Sequence, residues 1–212
     1  MIRIFLIISL LVLYNIVILS QERNHRDSID VLNYTINLDF TDMLLKQIKG
    51  NTEIRFVPLF DHTSIIKFDF EGLSTDEVKM NGKSLKFIQT PNILSIHTEL
   101  ELTTNDTITL SVVYHGTPKH DKYWGGFFID KNFAYNYGVG MEASPPNYGR
   151  VWYPCIDNFT DRAYYDYYIK TDKNYKAACP GILQSSISQD DGTIIYHWKL
   201  NQNIPSVMSI IN

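Results

Sequence analysis

The chain has 212 residues, of which 44% are hydrophobic and 13% are aromatic, a composition that supports a buried core and excludes a disordered protein. Its formal net charge is −4, from 19 Lys and Arg against 23 Asp and Glu, so the sequence offers no cationic surface for nucleic acid. We therefore expect no nucleic-acid partner.

The first twenty residues have the pattern of a secretory signal peptide. Arg3 precedes an apolar run from Ile4 to Leu19, and Ser20 stands where this run gives way to polar residues. The alternative is an uncleaved membrane anchor, although the run is shorter than the roughly 20 residues that a spanning helix needs. The sequence therefore predicts a signal peptide over residues 1–20 and a mature protein that is secreted, periplasmic or attached to the cell surface.

Two cysteines occur in this chain, Cys155 and Cys179. They are too few for a disulfide-rich scaffold, and the residues alone leave open whether they form a disulfide or remain buried thiols.

The first half of the mature chain has the two-residue alternation of apolar and polar side chains that is typical of strands with one buried face. The predicted strands cover residues 32–39, 47–57, 64–70, 77–80, 84–88, 93–102 and 108–114. Asn81 and Gly82 are typical of a two-residue hairpin turn, and they predict that strand 84–88 pairs with strand 77–80.

The second half continues in the same way after a mixed segment that contains Trp124 to Phe128. The predicted strands cover residues 133–137, 164–169, 175–178, 181–185 and 193–200. Asp190-Asp191-Gly192 is predicted to be a hairpin turn, because it has too few oxygen ligands at the spacing of a calcium loop.

The apolar run over residues 204–211 predicts one more core strand, interrupted at Asn212, and it indicates that the natural protein continues. No window has the period of an amphipathic helix. Short strands at regular spacing therefore predict an all-β fold, an antiparallel β-sandwich, as a single domain over residues 29–212.

The residues alone reveal no catalytic centre. The six histidines include no pair at helical i, i+4 spacing, and His115 and His120 have loop spacing without further ligands. The sequence also contains no Gly-x-Ser-x-Gly turn and no glycine-rich phosphate loop.

One stretch resembles a known family. Trp152 to Asp157 (WYPCID), then Asp161-Arg162-Ala163 and the strand from Tyr164, resembles the FPC-x-D…KA-x-F signature in the N-terminal β domain of the M1 zinc aminopeptidases. Similar segments follow the family's order, and they are Tyr34–Leu38, Ile48–Ile54, Tyr114–Gly116 and Pro180–Leu183. The resemblance covers nearly all of residues 29–212 and implies the saddle-like β-sandwich of that domain. Arg150, Asp157, Asp161 and Arg162 are expected to be structural.

The family has a substrate-anchoring Gln-x-Glu pair just before this signature, where the present chain reads Gly140-Met141-Glu142. The resemblance implies that these three residues bind substrate and that the Glu142 carboxylate receives the α-ammonium group of a peptide. The alternative for Glu142 is an exposed loop acid. Two features depart from the family: Gly140 replaces the glutamine, and residues 144–149 are additional.

The resemblance also implies an activity and its partners. The full-length enzyme would be a secreted, zinc-dependent aminopeptidase in which this chain caps the active site of its own C-terminal catalytic domain and receives peptides by their free N-terminus. The family's zinc-binding His-Glu-x-x-His helix is not found in these 212 residues. We therefore expect zinc in the full-length enzyme, none bound by this chain, and no activity of this chain alone. The alternative is a free-standing secreted binding module without catalytic activity.

Overall fold

A computed structural model describes residues 24–130 and 132–212. The predicted signal peptide lies outside these residues. In the described part, no helix has the length and apolar character needed to cross a bilayer. The described residues form thirteen strands: β1 Ile29–Asp39, β2 Ile48–Pro58, β3 Thr63–Asp69, β4 Ser74–Met80, β5 Lys83–Ser84, β6 Lys86–Gln89, β7 Ile93–Leu102, β8 Ile108–Gly116, β9 Gly126–Ile129, β10 Ala134–Tyr137, β11 Ala163–Asp172, β12 Ile182–Ser188 and β13 Thr193–Ile204. Four single 3₁₀ turns accompany them: His25–Asp27, Met43–Leu45, Gly149–Val151 and Ser206–Met208.

The main sheet has eight strands in the order β12-β13-β11-β1-β2-β8-β4-β5. The all-β sandwich that the sequence predicts is confirmed. One feature of the sheet was not predicted. Strands β1 and β11 pair in parallel, from Asn33 opposite Tyr164 to Asp39 opposite Lys170. The other neighbours in this sheet are antiparallel.

A three-stranded sheet, β3-β7-β6, lies against the inner face of the main sheet, and β9 and β10 form a separate two-stranded sheet. Aromatic rings join the two layers: Phe56 of β2 meets Phe68 of β3 edge-on at 6.3 Å between centroids, and Phe70 meets Tyr114 of β8 at 5.3 Å. All four side chains are buried, so the core lies between these sheets.

The Asn81–Gly82 hairpin turn is confirmed, since both residues have the positive φ, 53° and 79°, of a type I′ turn. The prediction that residues 84–88 form one strand paired with β4 is wrong. Only β5 pairs with β4, whereas β6 crosses to β7 in the other sheet. Leu85 lies between them, buried, with its N–H donated to the Val78 carbonyl at 2.9 Å, and this residue turns the chain from one layer into the other.

The strand predicted over residues 175–178 is also absent. Side chains of β13 use the carbonyls of this segment: the Tyr196 hydroxyl donates to the Tyr175 oxygen at 3.1 Å, and the Trp198 Nε1 donates to the Ala177 oxygen at 3.0 Å. The segment therefore runs irregularly beside β13 and is not part of its ladder.

The core strand predicted over residues 204–211 is wrong as well. β13 ends at Ile204, because Pro205 has no N–H to donate, and the chain then forms a 3₁₀ turn over Ser206–Met208. Ile211 is buried as its apolar character suggests, yet it lies outside any strand.

Candidate functional site

The segment that resembles the M1 signature lies in the core. Trp152, Tyr153, Cys155 and Ile156 are fully buried, and Cys155 exchanges two backbone hydrogen bonds with Asp69 at the end of β3, at 2.8 and 3.1 Å. The Ile156 N–H donates to the Tyr34 hydroxyl at 3.0 Å. We call residues 152–163 the buried block, because its first half is packed on all sides.

Asp69 is the anionic centre beneath the buried block. Its carboxylate accepts hydrogen bonds from Arg26 at 2.7 and 2.8 Å, lies 3.1 Å from the His25 Nε2, and accepts the Asp157 N–H at 2.9 Å. Burial alone would raise the pKa of Asp69, but the hydrogen bonds from His25 and Arg26 outweigh it, so the pKa lies below its usual value. The 3₁₀ turn before β1 is thereby anchored to the block.

Asp157 extends this network on the other side. It accepts the Ser206 hydroxyl at 2.7 Å and the Arg150 N–H at 3.3 Å, and the Arg150 guanidinium lies 3.5 Å from it and 3.3 Å from Glu71. Burial outweighs these contacts and raises the pKa of Asp157. Arg150 and Asp157 therefore hold the loop in place, as the structural role expected for them requires.

Asp161 lies at the far end of the block. Burial raises its pKa to about 7, against the hydrogen bond that its carboxylate accepts from the Val31 N–H at 3.3 Å. Arg162 beside it is exposed.

The three predicted substrate-binding residues lie together in the loop before the buried block, and we call residues 140–142 the rim. Met141 is exposed and its N–H donates to a carboxylate oxygen of Asp121 at 2.8 Å. The other oxygen of Asp121 accepts the N–H groups of Tyr123, Trp124 and Gly125 at 2.9, 2.7 and 2.8 Å.

Asp121 was missed by the sequence reasoning, although it fixes two loops at once. Its side chain is buried, and its carboxylate accepts hydrogen bonds from four backbone N–H groups. An aspartate followed within a few residues by Gly125 and Gly126 is typical of a turn in which the side chain bonds nearby backbone N–H groups. This was the sequence signal that could have identified Asp121.

The glycine at position 140 is a steric requirement of this geometry. A Cβ at Gly140 would lie 2.3 Å from the Tyr148 ring and 2.7 Å from the Asp121 carboxylate. A glutamine side chain therefore does not fit where the family has one, and position 140 can offer a ligand only its backbone.

Glu142 presents its carboxylate at the surface. One oxygen is 3.0 Å from the Lys122 Nζ and the other accepts the Lys122 N–H at 3.1 Å. These hydrogen bonds from Lys122 lower the pKa of Glu142, so the group is an anion at neutral pH. The Glu142 side chain is 39% exposed and Lys122 is 68% exposed, which leaves the pair open to solvent.

The additional residues 144–149 connect the rim to the buried block. Tyr148 donates its N–H to the Gly138 carbonyl at 2.7 Å, and the buried Asn147 donates its side-chain amide to the Asp157 carbonyl at 3.0 Å. These additional residues, by which the chain departs from the family pattern, therefore form an ordered link between the rim and the buried block.

The described residues contain no group of three or more His, Cys, Asp or Glu that could hold a metal ion. His115 contacts Asp76 at 2.8 Å, whereas His120 stacks on Phe128 with centroids 4.5 Å apart. This part of the chain therefore does not fit a zinc site. Cys155 and Cys179 are free thiols, and burial raises the pKa of both.

Comparisons with known proteins concern the family and the fold of this chain. A model of the Peptidase M1 N-terminal domain matches residues 28–208. No curated protein sequence matches the chain significantly. Among solved structures, the M1 zinc metallopeptidase from Deinococcus radiodurans is similar, with a TM-score of 0.75 and 19% identity over 87% of this chain and 42% of that chain. A mutant of the Deinococcus radiodurans protein bound to a Tyr-Ser-Ala substrate gives the same values.

Legionella pneumophila aminopeptidase A in complex with aspartic acid is also similar, with a TM-score of 0.73 and 16% identity over 91% of this chain and 22% of that chain. At these identities the likeness concerns the fold. The chain spans less than half the length of each of these structural relatives.

Proposed function

This chain belongs to the M1 peptidase family as an N-terminal domain, and on this basis we propose that it caps the active site of a secreted, zinc-dependent aminopeptidase. The observation that carries the proposal is the rim, where an ionised carboxylate stands at the surface on a loop that a buried aspartate holds in place. A fixed anion is the group that would bind the free α-ammonium group of a peptide.

In this proposal Glu142 receives the substrate's amino end. The Lys122 Nζ already contacts one oxygen of this carboxylate, but an ion pair between two exposed side chains is weak and readily exchanged. An incoming ammonium group can therefore share the carboxylate or displace Lys122. Gly140 contributes backbone, and the exposed Met141 side chain contributes apolar surface beside the anion.

The zinc site and the chemistry of peptide-bond cleavage belong, in this proposal, to a catalytic domain that follows residue 212 in the full-length enzyme. The part of this chain that the structure describes supplies no ligand cluster for the metal. The chain's own contribution is to bind the amino end of the peptide and to cap the active site from one side. Secretion rests on the signal-peptide pattern of residues 1–20.

The first test uses the purified chain itself. With added zinc and aminoacyl anilides as substrates, we expect no hydrolysis above the blank. Zinc-dependent release of the anilide by the 212-residue chain would contradict the assignment of the metal to another domain.

The second test uses the full-length enzyme and the variant Glu142→Gln, which keeps the shape and removes the charge. We expect KM for unblocked peptides to rise at least roughly tenfold, because one charged contact to the ammonium group is lost. The matched control is Glu99→Gln, since Glu99 forms a similar surface pair with Lys83 at 2.7 Å. Equal kinetics for the two variants would overturn the role of Glu142.

A stop codon directly after Asn212 in the natural reading frame would instead favour a free-standing binding module.

A further inference from the structure

The outer face of the main sheet, turned away from the three-stranded sheet, carries two open cavities that the proposed function does not use. The first has a volume of about 570 Å³ and extends over six neighbouring strands, from Ile195 of β13 to Asp76 of β4. The second, of about 590 Å³, lies further along the same strands, between Tyr164 and Thr109. We call this surface the outer face.

The register of the strands places its side chains in rows. His197 lies opposite Tyr168, Tyr168 opposite Asn37, Asn37 opposite Asn51, and Asn51 opposite Val113. Each further row is two residues away, about 6.6–6.8 Å along the strands. The rows that line the two cavities together therefore extend over roughly 20 Å.

Tyr168 is an aromatic platform held in a fixed orientation. Its ring is parallel to the His197 ring, with centroids 4.1 Å apart and planes 10° apart, and the His197 Nε2 lies 2.9 Å from the Asp166 carboxylate. Because His197 covers one side of the ring, the other side is turned toward Asn37 and the first cavity. A ring that is already ordered loses little entropy when a ligand stacks on it.

The floor beside this ring is mostly apolar, with Val113 and Ile195 in its lining, and it also contains the two side-chain amides of Asn37 and Asn51. The Ser111 hydroxyl donates to the Asn51 side-chain oxygen at 2.8 Å, and the Asn37 amide donates to the Asn51 backbone carbonyl at 3.2 Å. These contacts orient both amides, and the second polar atom of each can bond a ligand.

The basic side chains around the first cavity are each in contact with a carboxylate. The pairs are Lys49 with Asp42 at 2.9 Å, Lys170 with Asp191 at 2.9 Å, and His115 with Asp76 at 2.8 Å. With these pairs in place and the Asp39 carboxylate also in the lining, the cavity has no net positive field to attract a polyanion or an anionic membrane, so its chemistry fits an uncharged ligand better than an anion.

We propose that the outer face binds a neutral oligosaccharide, with one sugar ring stacked on Tyr168 and its hydroxyl groups bonded to Asn37 and Asn51. A sugar combines an apolar C–H face with pairs of hydroxyls, and the platform and the amides match these two features. The outer face is long and open enough to hold a chain of several sugar rings. This site is independent of the rim and of aminopeptidase activity.

The test is a titration of the ¹⁵N-labelled chain with cellohexaose, maltohexaose, xylohexaose, mannohexaose and chitohexaose, followed by amide chemical shifts. We expect saturable shifts confined to outer-face strands with at least one of these probes. If all five fail to shift outer-face amides at millimolar concentration, the proposal is overturned. Binding of a heparin hexasaccharide in place of them, lost on addition of salt, would also overturn it, because it would indicate an anion site.

The decisive variant is Tyr168→Ala, with Tyr123→Ala as the matched control, since Tyr123 is an exposed tyrosine away from this face. We expect Tyr168→Ala to weaken binding at least roughly tenfold, the effect of losing one stacking partner, and Tyr123→Ala to leave it unchanged. Asn51→Ala, which keeps the ring, should also weaken binding. Thermal melts of each variant separate loss of the ligand from loss of the fold. Unchanged affinity in folded Tyr168→Ala would refute the site.

Discussion

The buried block and the rim come from one continuous loop, yet they are held in opposite ways. Residues 152–163 are fixed by core packing and by the buried carboxylates Asp69 and Asp157, each with several partners. In the rim, Met141 and Glu142 lie at the surface, and the contacts that hold it are few: Asp121, the hydrogen bond from the Gly140 N–H to the Pro146 carbonyl at 3.0 Å, and one open ion pair. The segment that resembles the family most specifically is therefore the scaffold, and the residues proposed to meet substrate are its less constrained neighbour.

This difference separates stability from binding. Substitutions beneath the block should lower the free energy of unfolding, whereas substitutions at the rim should change ligand affinity or local order and leave the fold intact.

The largest effect is expected for Asp69→Ala. The variant leaves the Arg26 guanidinium and the Asp157 N–H without their buried partner. Removing one partner of a buried ion pair lowers the free energy of unfolding by about 3–5 kcal/mol, and we expect a loss of this size. Urea denaturation of the variant and the wild type measures it. Asp61→Ala is the control, because Asp61 makes comparable hydrogen bonds to Thr104 at the exposed surface. Equal losses in the two variants would contradict the role of the network.

A pH dependence is expected from Asp161. Its folded pKa is raised to about 7 from 3.8, so between these values the folded state binds more protons than the unfolded state. The free energy of unfolding should therefore fall as the pH rises from about 4 to about 7, by up to about 2–4 kcal/mol. In Asp161→Asn this fall should become smaller by the contribution of Asp161, while the contribution of Asp157, whose pKa burial also raises, remains.

The measurement is the urea midpoint at pH 5 and pH 8 for both proteins. Glu142→Gln provides the contrast from the rim, because the pKa of Glu142 is lowered and its small contribution is lost only as the pH falls. A wild-type midpoint equal at both pH values would show that Asp161 is not protonated in the fold.

At the rim, Gly140→Gln restores the residue type that the family has at this position. Its Cβ would come within 2.3 Å of the Tyr148 ring, so we expect overpacking to cost about 1–3 kcal/mol. Met141→Gln, one residue further and exposed, should change stability by no more than about 0.5 kcal/mol. Thermal melts of the two variants distinguish them, and a Gly140→Gln protein as stable as wild type would show that the loop can open.

The sequence predicted the fold class because alternation along β1, β2, β7 and β8 reports directly which side chains are buried. Alternation does not report which sheet a strand joins, and the crossing at Leu85 was therefore missed. The segments over residues 175–178 and 204–211 have strand-like composition, but side chains of β13 and Pro205 determine their path, and these contacts are not visible in a local pattern.

The site was predicted only as far as the family resemblance extends. It locates Gly140, Met141 and Glu142, which the structure brings together as a rim, and their role in binding stays a prediction. Asp69 was not predicted because its partner Arg26 lies 43 residues away along the chain, which leaves no signature in sequence spacing. Asp121 had only the weak local signal of a nearby glycine, since its partners are backbone N–H groups.

The smallest effect on stability is expected for Asp121→Asn, which is the most specific test of how the rim is held. The asparagine oxygen can still accept the N–H groups of Tyr123, Trp124 and Gly125, but its NH₂ group cannot accept the Met141 N–H. The overall melt should therefore change little, while the Met141 amide exchanges with solvent faster than in wild type. Hydrogen exchange measured by NMR separates the two outcomes: unchanged protection of Met141 would mean that the rim is held by Tyr148 and the linking loop, and a large fall in melting temperature would mean that Asp121 belongs to the scaffold as much as Asp69 does.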